Sequence, residues 1–228
     1  MRFAQPSLPL GAFGKKTKIT RGKKMKIAVF GAQGRVGKIV CALAKQRGYD
    51  VCEIEKDTNL QAVGDVDVAI DFSVAAATQE VCNFCKSKRC TLVTGVTGRN
   101  ESQQQLVEEL KSVCKVRESS NFSKGIAAMH EICKILAGLN WDCEIVETHR
   151  KGKRDCPSGT AKDLATTVVT NGTRIAQIHA LRCGSNFGKH EVVFATQGES
   201  VTVVHQAENC EIFARGALDV AEKLAKKQ

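Results

Sequence analysis

MKIAVFGAQGRVG, residues 25–37, decides the fold. Met25–Phe30 is a short apolar run of buried-strand type. Gly31, Gly34 and Gly37 follow at once, in G-x-x-G-x-x-G spacing. A helical pattern then runs from Arg35 to Arg47, with Val36, Ile39, Val40, Leu43 and Ala44 on one face, and Gly48 stops it. Strand, glycine turn and helix together make a phosphate cradle. Gly31 permits the tight turn, Gly34 lets backbone approach a pyrophosphate, and Gly37 lets helix and strand pack closely. The helix N-terminus adds N–H groups and partial positive charge, and Arg35 a charge-assisted contact. Glu55 lies 18 residues beyond Gly37, where a carboxylate binds ribose hydroxyls, with Glu53 as its rival and Lys56 beside it to tolerate a 2′-phosphate.

Outward from this motif, strands alternate with helices. Asp50–Glu55, Asp67–Phe72, Thr91–Thr94 and Lys115–Glu118 read as strands; Ala75–Ser87 and Ser102–Cys114 read as helices. That rhythm predicts an α/β fold with a doubly wound parallel sheet. After Asn121 the rhythm changes. Lys124–Leu139 and Thr160–Thr170 read as helices and Glu144–Thr148 as a strand. Ile175–Arg182, Glu191–Thr196 and Ser200–Gln206 read as antiparallel strands, and Ile212–Lys226 as a closing amphipathic helix. The expected organisation is a basic extension over 1–24, a dinucleotide-binding domain over 25–122 and a smaller α+β substrate and oligomerisation domain over 123–207. The latter carries a mixed or antiparallel sheet, and the helix over 208–228 returns to the first domain.

Composition narrows the function classes. The chain has 228 residues, 43% hydrophobic and 25% charged, enough for a sizeable core. Its net charge is +10, but residues 1–24 carry seven cations and no acid, leaving only +3 for the remainder. The body therefore does not call for nucleic acid. The extension reads as disordered, and as an upstream start or remnant before Met25 in preference to a transit peptide. No uncharged run is long enough to span a membrane. Eleven cysteines at no framework spacing read as free thiols of a reducing, cytoplasmic compartment. Cys82-x-x-Cys85 has no second pair and reads neither as a metal site nor as a redox motif; no metal is expected.

Ligands of such sheets sit at the carboxyl ends of the strands. The loops there are Phe72-Ser73, Thr94–Gly98 and Ser119–Ser123, whose small polar residues suit a carboxamide. The most informative stretch is ETHRKGKRDCPSGTA, residues 147–161. His149 and four cations, Arg150, Lys151, Lys153 and Arg154, lie within six residues, after a strand and before a Pro-Ser-Gly-Thr helix start. Such a start binds carboxylate, and a histidine in reach serves as general acid. His130, His179, His190 and His205 lack such partners; His190 and His205 read as packing or subunit contacts. Cys156, despite Arg154, does not read as an activated thiol.

With these residues assembled, the chain resembles the dihydrodipicolinate reductase (4-hydroxy-tetrahydrodipicolinate reductase) family over residues 25–226. GAQGRVG is similar to the family's G-x-x-G-R-M-G loop and DVAIDFS to its D-V-x-I-D-F-[ST] strand. TGVTG is similar to G-T-T-G, SSNFSKGI to A-x-N-F-S-x-G, and the 147–161 stretch to the E-x-H-H-x-x-K-x-D-[AS]-P-S-G-T-A signature. LRCGSNFGKHEVVF and FARGAL are also similar to family segments. The resemblance implies a Rossmann-type domain and hydride transfer from NADH or NADPH to a cyclic imine dicarboxylate in lysine and diaminopimelate biosynthesis, by a homotetramer. It implies catalytic roles for His149 and Lys153, and substrate contacts for Arg150, Ser158, Gly159, Thr160 and Thr97. It also implies cofactor contacts for Gly31, Ala32, Gln33, Gly34, Arg35, Val36, Glu55, Lys56, Gly95, Val96, Thr97, Ser119, Ser120, Asn121 and Phe122. Three positions depart from the pattern: Arg150 stands for a second histidine, Val96 for a threonine and Cys156 for the residue before the proline. Another nicotinamide-dependent dehydrogenase, or a catalytically impaired NAD-binding module, is the alternative reading.

Overall fold

A computed structural model describes residues 24–225. The basic extension, apart from Lys24, and residues 226–228, including the expected helix end at Lys226, lie outside the described residues.

The first sheet has five parallel strands in the order β2-β1-β3-β4-β5: β1 Lys26–Phe30, β2 Asp50–Ile54, β3 Val68–Asp71, β4 Thr91–Thr94 and β5 Val116–Glu118. β1, β3 and β4 are almost wholly buried because helices cover both faces. On one face lie α1 (Arg35–Gln46) and α6 (Glu211–Ala225), joined by Val40, Leu43, Ala217 and Leu218. On the other lie α2 (Thr78–Lys88) and α3 (Glu101–Lys111), which bury Val81, Phe84, Val107 and Leu110. The chain runs from β1 out to β2 and then back past β1 to β3. The direction reverses between β1 and β3, and their carboxyl ends open a crevice there.

The second sheet has four strands in the order β7-β6-β8-β9: β6 Asp142–His149, β7 Ile175–Arg182, β8 Lys189–Thr196 and β9 Glu199–Gln206. Two helices, α4 (Lys124–Ala137) and α5 (Gly159–Thr170), cover its inner face and bury Ile126, Ile145, Leu164 and Phe194. The expectation of three antiparallel strands after Ile175 is corrected here. β8 and β9 are antiparallel, but β7 pairs parallel to β6, so the sheet is mixed. The reason is α5. A strand followed by a helix re-enters the sheet in the same direction, and residue alternation carries no information about strand direction. The helix read as Ala75–Ser87 begins with a short 3-10 turn, Ala75–Ala77, before α2.

The closing helix is held by one close contact. A Cβ on Gly216 would come within 1.8 Å of the Phe122 carbonyl, so α6 lies flat against the crossing between the two sheets and fixes Phe122. Arg47 ties α1 to α6 through Asp219 at 3.0 Å and Glu222 at 2.5 Å. No described helix is long and apolar enough to cross a membrane. All eleven cysteines are free.

Candidate active site

The glycine loop is built as the spacing requires. Gly31 has φ +70°, and a Cβ there would meet the Phe72 carbonyl at 2.9 Å. A Cβ on Gly37 would lie 2.1 Å from the Gly31 oxygen, so α1 can start beneath the turn only on glycine. The α1 N-terminus has no side-chain cap and no acid in its first turn, whereas Asn100 and Gln103 form a full capping box on α3. Its N–H groups remain open to an anion. These features fit a dinucleotide pyrophosphate. Glu55 accepts the Gln33 N–H at 2.6 Å and Glu53 the Gln33 side-chain amide at 3.1 Å, so both ribose candidates flank the loop. Gly31, Gly34, Glu55 and Lys56 line a cavity of about 490 Å³, bounded by Phe72.

Phe72 also borders a second cavity of about 270 Å³, which lies between the two sheets. From the first sheet's side come Arg35, Val36, Gly95 and Thr97, and from the crossing Ser120, Asn121 and Phe122. From the opposite side come His149, Arg150 and Lys153, then Ser158, Gly159 and Thr160 at the start of α5. The basic turn and the glycine-loop helix therefore face each other across one cleft. Of the expected residues, Gly31, Gly34, Glu55 and Lys56 line the first cavity instead, and Ala32, Gln33, Val96 and Ser119 line neither. Ala32 is buried in the core against α1. Val96 and Ser119 line a neighbouring groove. Val96 sits there because its N–H and carbonyl bind Thr94 and Arg99, and Ser119 because its hydroxyl donates to the Asn121 carbonyl at 2.8 Å. The threonine-to-valine departure at Val96 thus takes no hydroxyl from the central cleft.

Strand parity explains the site chemistry. The inward positions of β6 run Cys143, Ile145, Glu147, His149, passing from apolar core to polar cleft. Inward positions on neighbouring strands supply Arg182 on β7 and His190 on β8. Arg182 gives two N–H donors to Glu147, at 2.6 and 2.9 Å, and a third to the Asp155 carbonyl at 2.7 Å. Glu147 also meets His149 Nδ1 within hydrogen-bond distance and, at 3.0 Å, accepts the Ser158 N–H. Burial alone would raise the Glu147 pKa; Arg182, His149 and the Ser158 amide outweigh it and hold the carboxyl below its ordinary range. Burial lowers the His149 pKa, against the pull of Glu147. His190 is pushed down to about 3 by burial and by His149, so it stays neutral.

His190 also corrects an expectation. Far from lacking partners at the helix start, it lies with Nε2 3.2 Å from the Ser158 hydroxyl and its ring edge-on to His149 at 5.2 Å. Its packing role stands, inside the site. Ser158 caps α5 by accepting the Ala161 N–H, and Asn121 donates to Thr160 at 3.1 Å, which ties the crossing to the helix start. Lys153 is paired with Asp155 at 2.8 Å. Burial would raise the Asp155 pKa, but Lys153 holds it low. Sequence reading gave no role to Glu147, Arg182, Asn186, Phe187 or Phe213. The available signal was a charged residue at an inward position of an alternating strand, which Glu147 and Arg182 both show.

Known proteins agree with this geometry. Residues 49–122 match the family description of the dihydrodipicolinate reductase N-terminus, and residues 125–228 that of its C-terminus. A 4-hydroxy-tetrahydrodipicolinate reductase of Xanthomonas axonopodis pv. citri is 34% identical over 222 residues, covering 89% of this chain and 93% of its own length. One from Thermosipho africanus is 34% identical over 207 residues, covering 90% and 93%. Among solved structures, a dipicolinate-bound dihydrodipicolinate reductase from Paenisporosarcina sp. TG-14 superposes with a TM-score of 0.66 at 20% identity, covering 89% of this chain and 95% of that one. A myo-inositol dehydrogenase from Corynebacterium glutamicum superposes at 0.61 with 12% identity, covering 89% of each chain, which shows the shared fold. A glycine cradle facing a histidine-lysine turn across one cleft, and matches along nearly the whole chain, lead to one assignment: the chain belongs to the dihydrodipicolinate reductase family of NADH- or NADPH-dependent oxidoreductases.

Proposed function

We propose that the cleft between the two sheets is where this chain reduces a cyclic imine dicarboxylate to tetrahydrodipicolinate, with His149 as proton donor and Lys153 as the charge-stabilising cation. The observation that carries this reading is the shared lining of one cavity by Arg35 and Val36 of the glycine-loop helix and by His149, Arg150 and Lys153 of the basic turn. NADH or NADPH, when bound, supplies the hydride.

The protein's part is positioning and polarisation. Gly31, Gly34 and the open α1 N-terminus receive the pyrophosphate, with Arg35 beside it. Glu55 binds the adenosine ribose. Gly95, Thr97, Asn121 and Phe122 shape the nicotinamide side of the cleft. Ser158, Gly159 and Thr160 hold one substrate carboxylate at the positive end of α5, and Arg150 faces the dianion as a permanent cation. Lys153 stabilises negative charge as it develops on the substrate. A substrate carboxylate competes with Asp155 for its ammonium. His149 delivers a proton from Nε2, because Nδ1 is taken by Glu147. An arriving dianion raises the pKa that burial has lowered, so the ring takes up its proton as substrate binds.

The same reading divides the chain into a dinucleotide unit, 25–122 with 208–228, and a substrate and oligomerisation unit, 123–207. It makes the protein a cytoplasmic homotetramer built on the outer face of the mixed sheet, where Leu181 and Val204 are about half exposed. The test is a coupled assay in which the preceding enzyme makes the substrate in place from pyruvate and aspartate semialdehyde, run with each cofactor. Dicarboxylate-dependent oxidation of NADH or NADPH is expected. Oxidation of neither would overturn the reading.

A further inference from the structure

We propose that Glu147 is the positioning residue of His149: its carboxylate fixes the imidazole as the Nδ1–H tautomer and, through the Ser158 amide, locks that ring to the α5 start. The inference rests on His149 as the proton donor. It adds a residue to which neither composition nor motif assigns a task.

The hydrogen bonds of Glu147 are the evidence. Its side chain is fully buried, and its two oxygens take four contacts from three residues, Arg182, Ser158 and His149. One oxygen accepts from Arg182 Nη2 at 2.6 Å and from the Ser158 amide at 3.0 Å. The other accepts from Arg182 Nη1 at 2.9 Å and meets His149 Nδ1 within hydrogen-bond distance. Arg182 and the amide can only donate, so the group they share is an ionised, acceptor-only carboxylate. A carboxylate in that state leaves Nδ1 no choice but to carry its hydrogen, and Nε2 becomes the nitrogen that exchanges a proton. Nε2 makes no hydrogen bond among the described residues. A Cβ on Gly188 would approach it to 3.0 Å, so glycine keeps space beside it.

The charges around the ring are Glu147 on its own strand, Arg182 on β7 and Lys153 in the following loop. His190 on β8 meets it edge-on, with His205 on β9 behind, and Arg150 follows it in the chain. Ser158 and Thr160 of α5 bring no titratable group. Among the described residues, Glu147 is the one anion touching the ring. The carboxylate that orients the imidazole also receives the amide of Ser158, the N-cap of the substrate-side helix. Ring and anion site are therefore braced on one group, as a reaction demanding alignment within about 1 Å requires.

Glu147→Gln tests this. The new amide group donates where the carboxylate accepted, so it favours hydrogen on Nε2, the opposite tautomer. The comparable amide swap behind the histidine of a Ser-His-Asp triad costs about 10⁴-fold in turnover. The readout is nitrogen-15 imidazole spectroscopy on the full chain without ligand, with His149→Asn used to assign the ring. In the wild type, His149 is expected to show a protonated Nδ1 and a bare Nε2 near pH 8. In Glu147→Gln the tautomer should reverse and the titration move to lower pH. Turnover should fall at least about 100-fold with NADH affinity within about threefold, and Glu147→Asp should recover part of it. A wild-type ring carrying its hydrogen on Nε2 overturns the proposal, and that spectrum decides even where Glu147→Gln does not fold. An unchanged tautomer and titration in Glu147→Gln overturn it as well. A wild type with the Nδ1–H tautomer and no reductase turnover would overturn the functional reading alone and leave the positioning of the ring supported.

Discussion

Replacing Arg182 with methionine removes the guanidinium that neutralises Glu147. In the native site Glu147 is fully buried, and the Arg182 side chain is 16% exposed. Two charge-assisted bonds to the carboxylate and one to the Asp155 carbonyl are lost together. Breaking a buried pair from one side typically costs about 3–5 kcal/mol, because the remaining charge is left uncompensated. For a chain of this size each kcal/mol lowers Tm by roughly 2–4 °C, so a fall of roughly 6–20 °C is expected near pH 8. The cost should depend on pH. Arg182 is one of the cations that lower the His149 pKa. Without it, the folded-state pKa of His149 rises, and an imidazolium can take over the neutralisation of Glu147. Burial still lowers the His149 pKa in the variant, but by less than in the wild type, so protonating the ring on acidification costs the folded variant less stability. The variant should therefore lose less Tm near about pH 5.5 than near pH 8. Differential scanning fluorimetry of wild type and variant across that range is the assay. A loss under about 2 °C near pH 8, or the same loss at both ends, would refute the reasoning.

Three further outcomes follow from the geometry. Gly37→Ala drives a methyl to 2.1 Å from the Gly31 oxygen, so the phosphate turn must open; NADH affinity by fluorescence titration should fall at least about tenfold, and an unchanged Kd would contradict the cradle. Lys153→Met should cut kcat by about 100-fold while leaving the cofactor Kd nearly unaltered, and wild-type-like turnover would remove Lys153 from the mechanism. Glu55→Ala should weaken NADH by about tenfold and NADPH by less, read as the ratio of the two kcat/KM values; equal losses would move the ribose contact to Glu53.

The first half of the fold was legible because its signals are local. A buried strand, three glycines and an amphipathic helix lie within one short stretch, and the third and fourth strands end at Ser73 and Gly95. The second sheet was legible as strands but not as a topology. The alternation of Ile175–Arg182 is the same whether it runs with β6 or against it, and only the α5 crossover settles the direction. The basic turn was legible as chemistry, since a histidine and a lysine before a Ser-Gly-Thr helix start are unusual neighbours. His190 was not, because its partners, Ser158 and His149, lie 32 and 41 positions away in the chain.

Residue order by itself determined the doubly wound sheet and the glycine loop, because periodicity and glycine spacing act over a few residues, and it singled out the basic turn as the candidate for chemistry. Tertiary structure alone decided which groups touch. It brought Arg182 to Glu147 across 35 positions, placed His190 against His149, and turned Val96 out of the central cleft. The physical reason is that a buried charge is tolerable only beside its complement. That complement is found by strand register and by a crossover between strands distant in the chain, which no local pattern encodes.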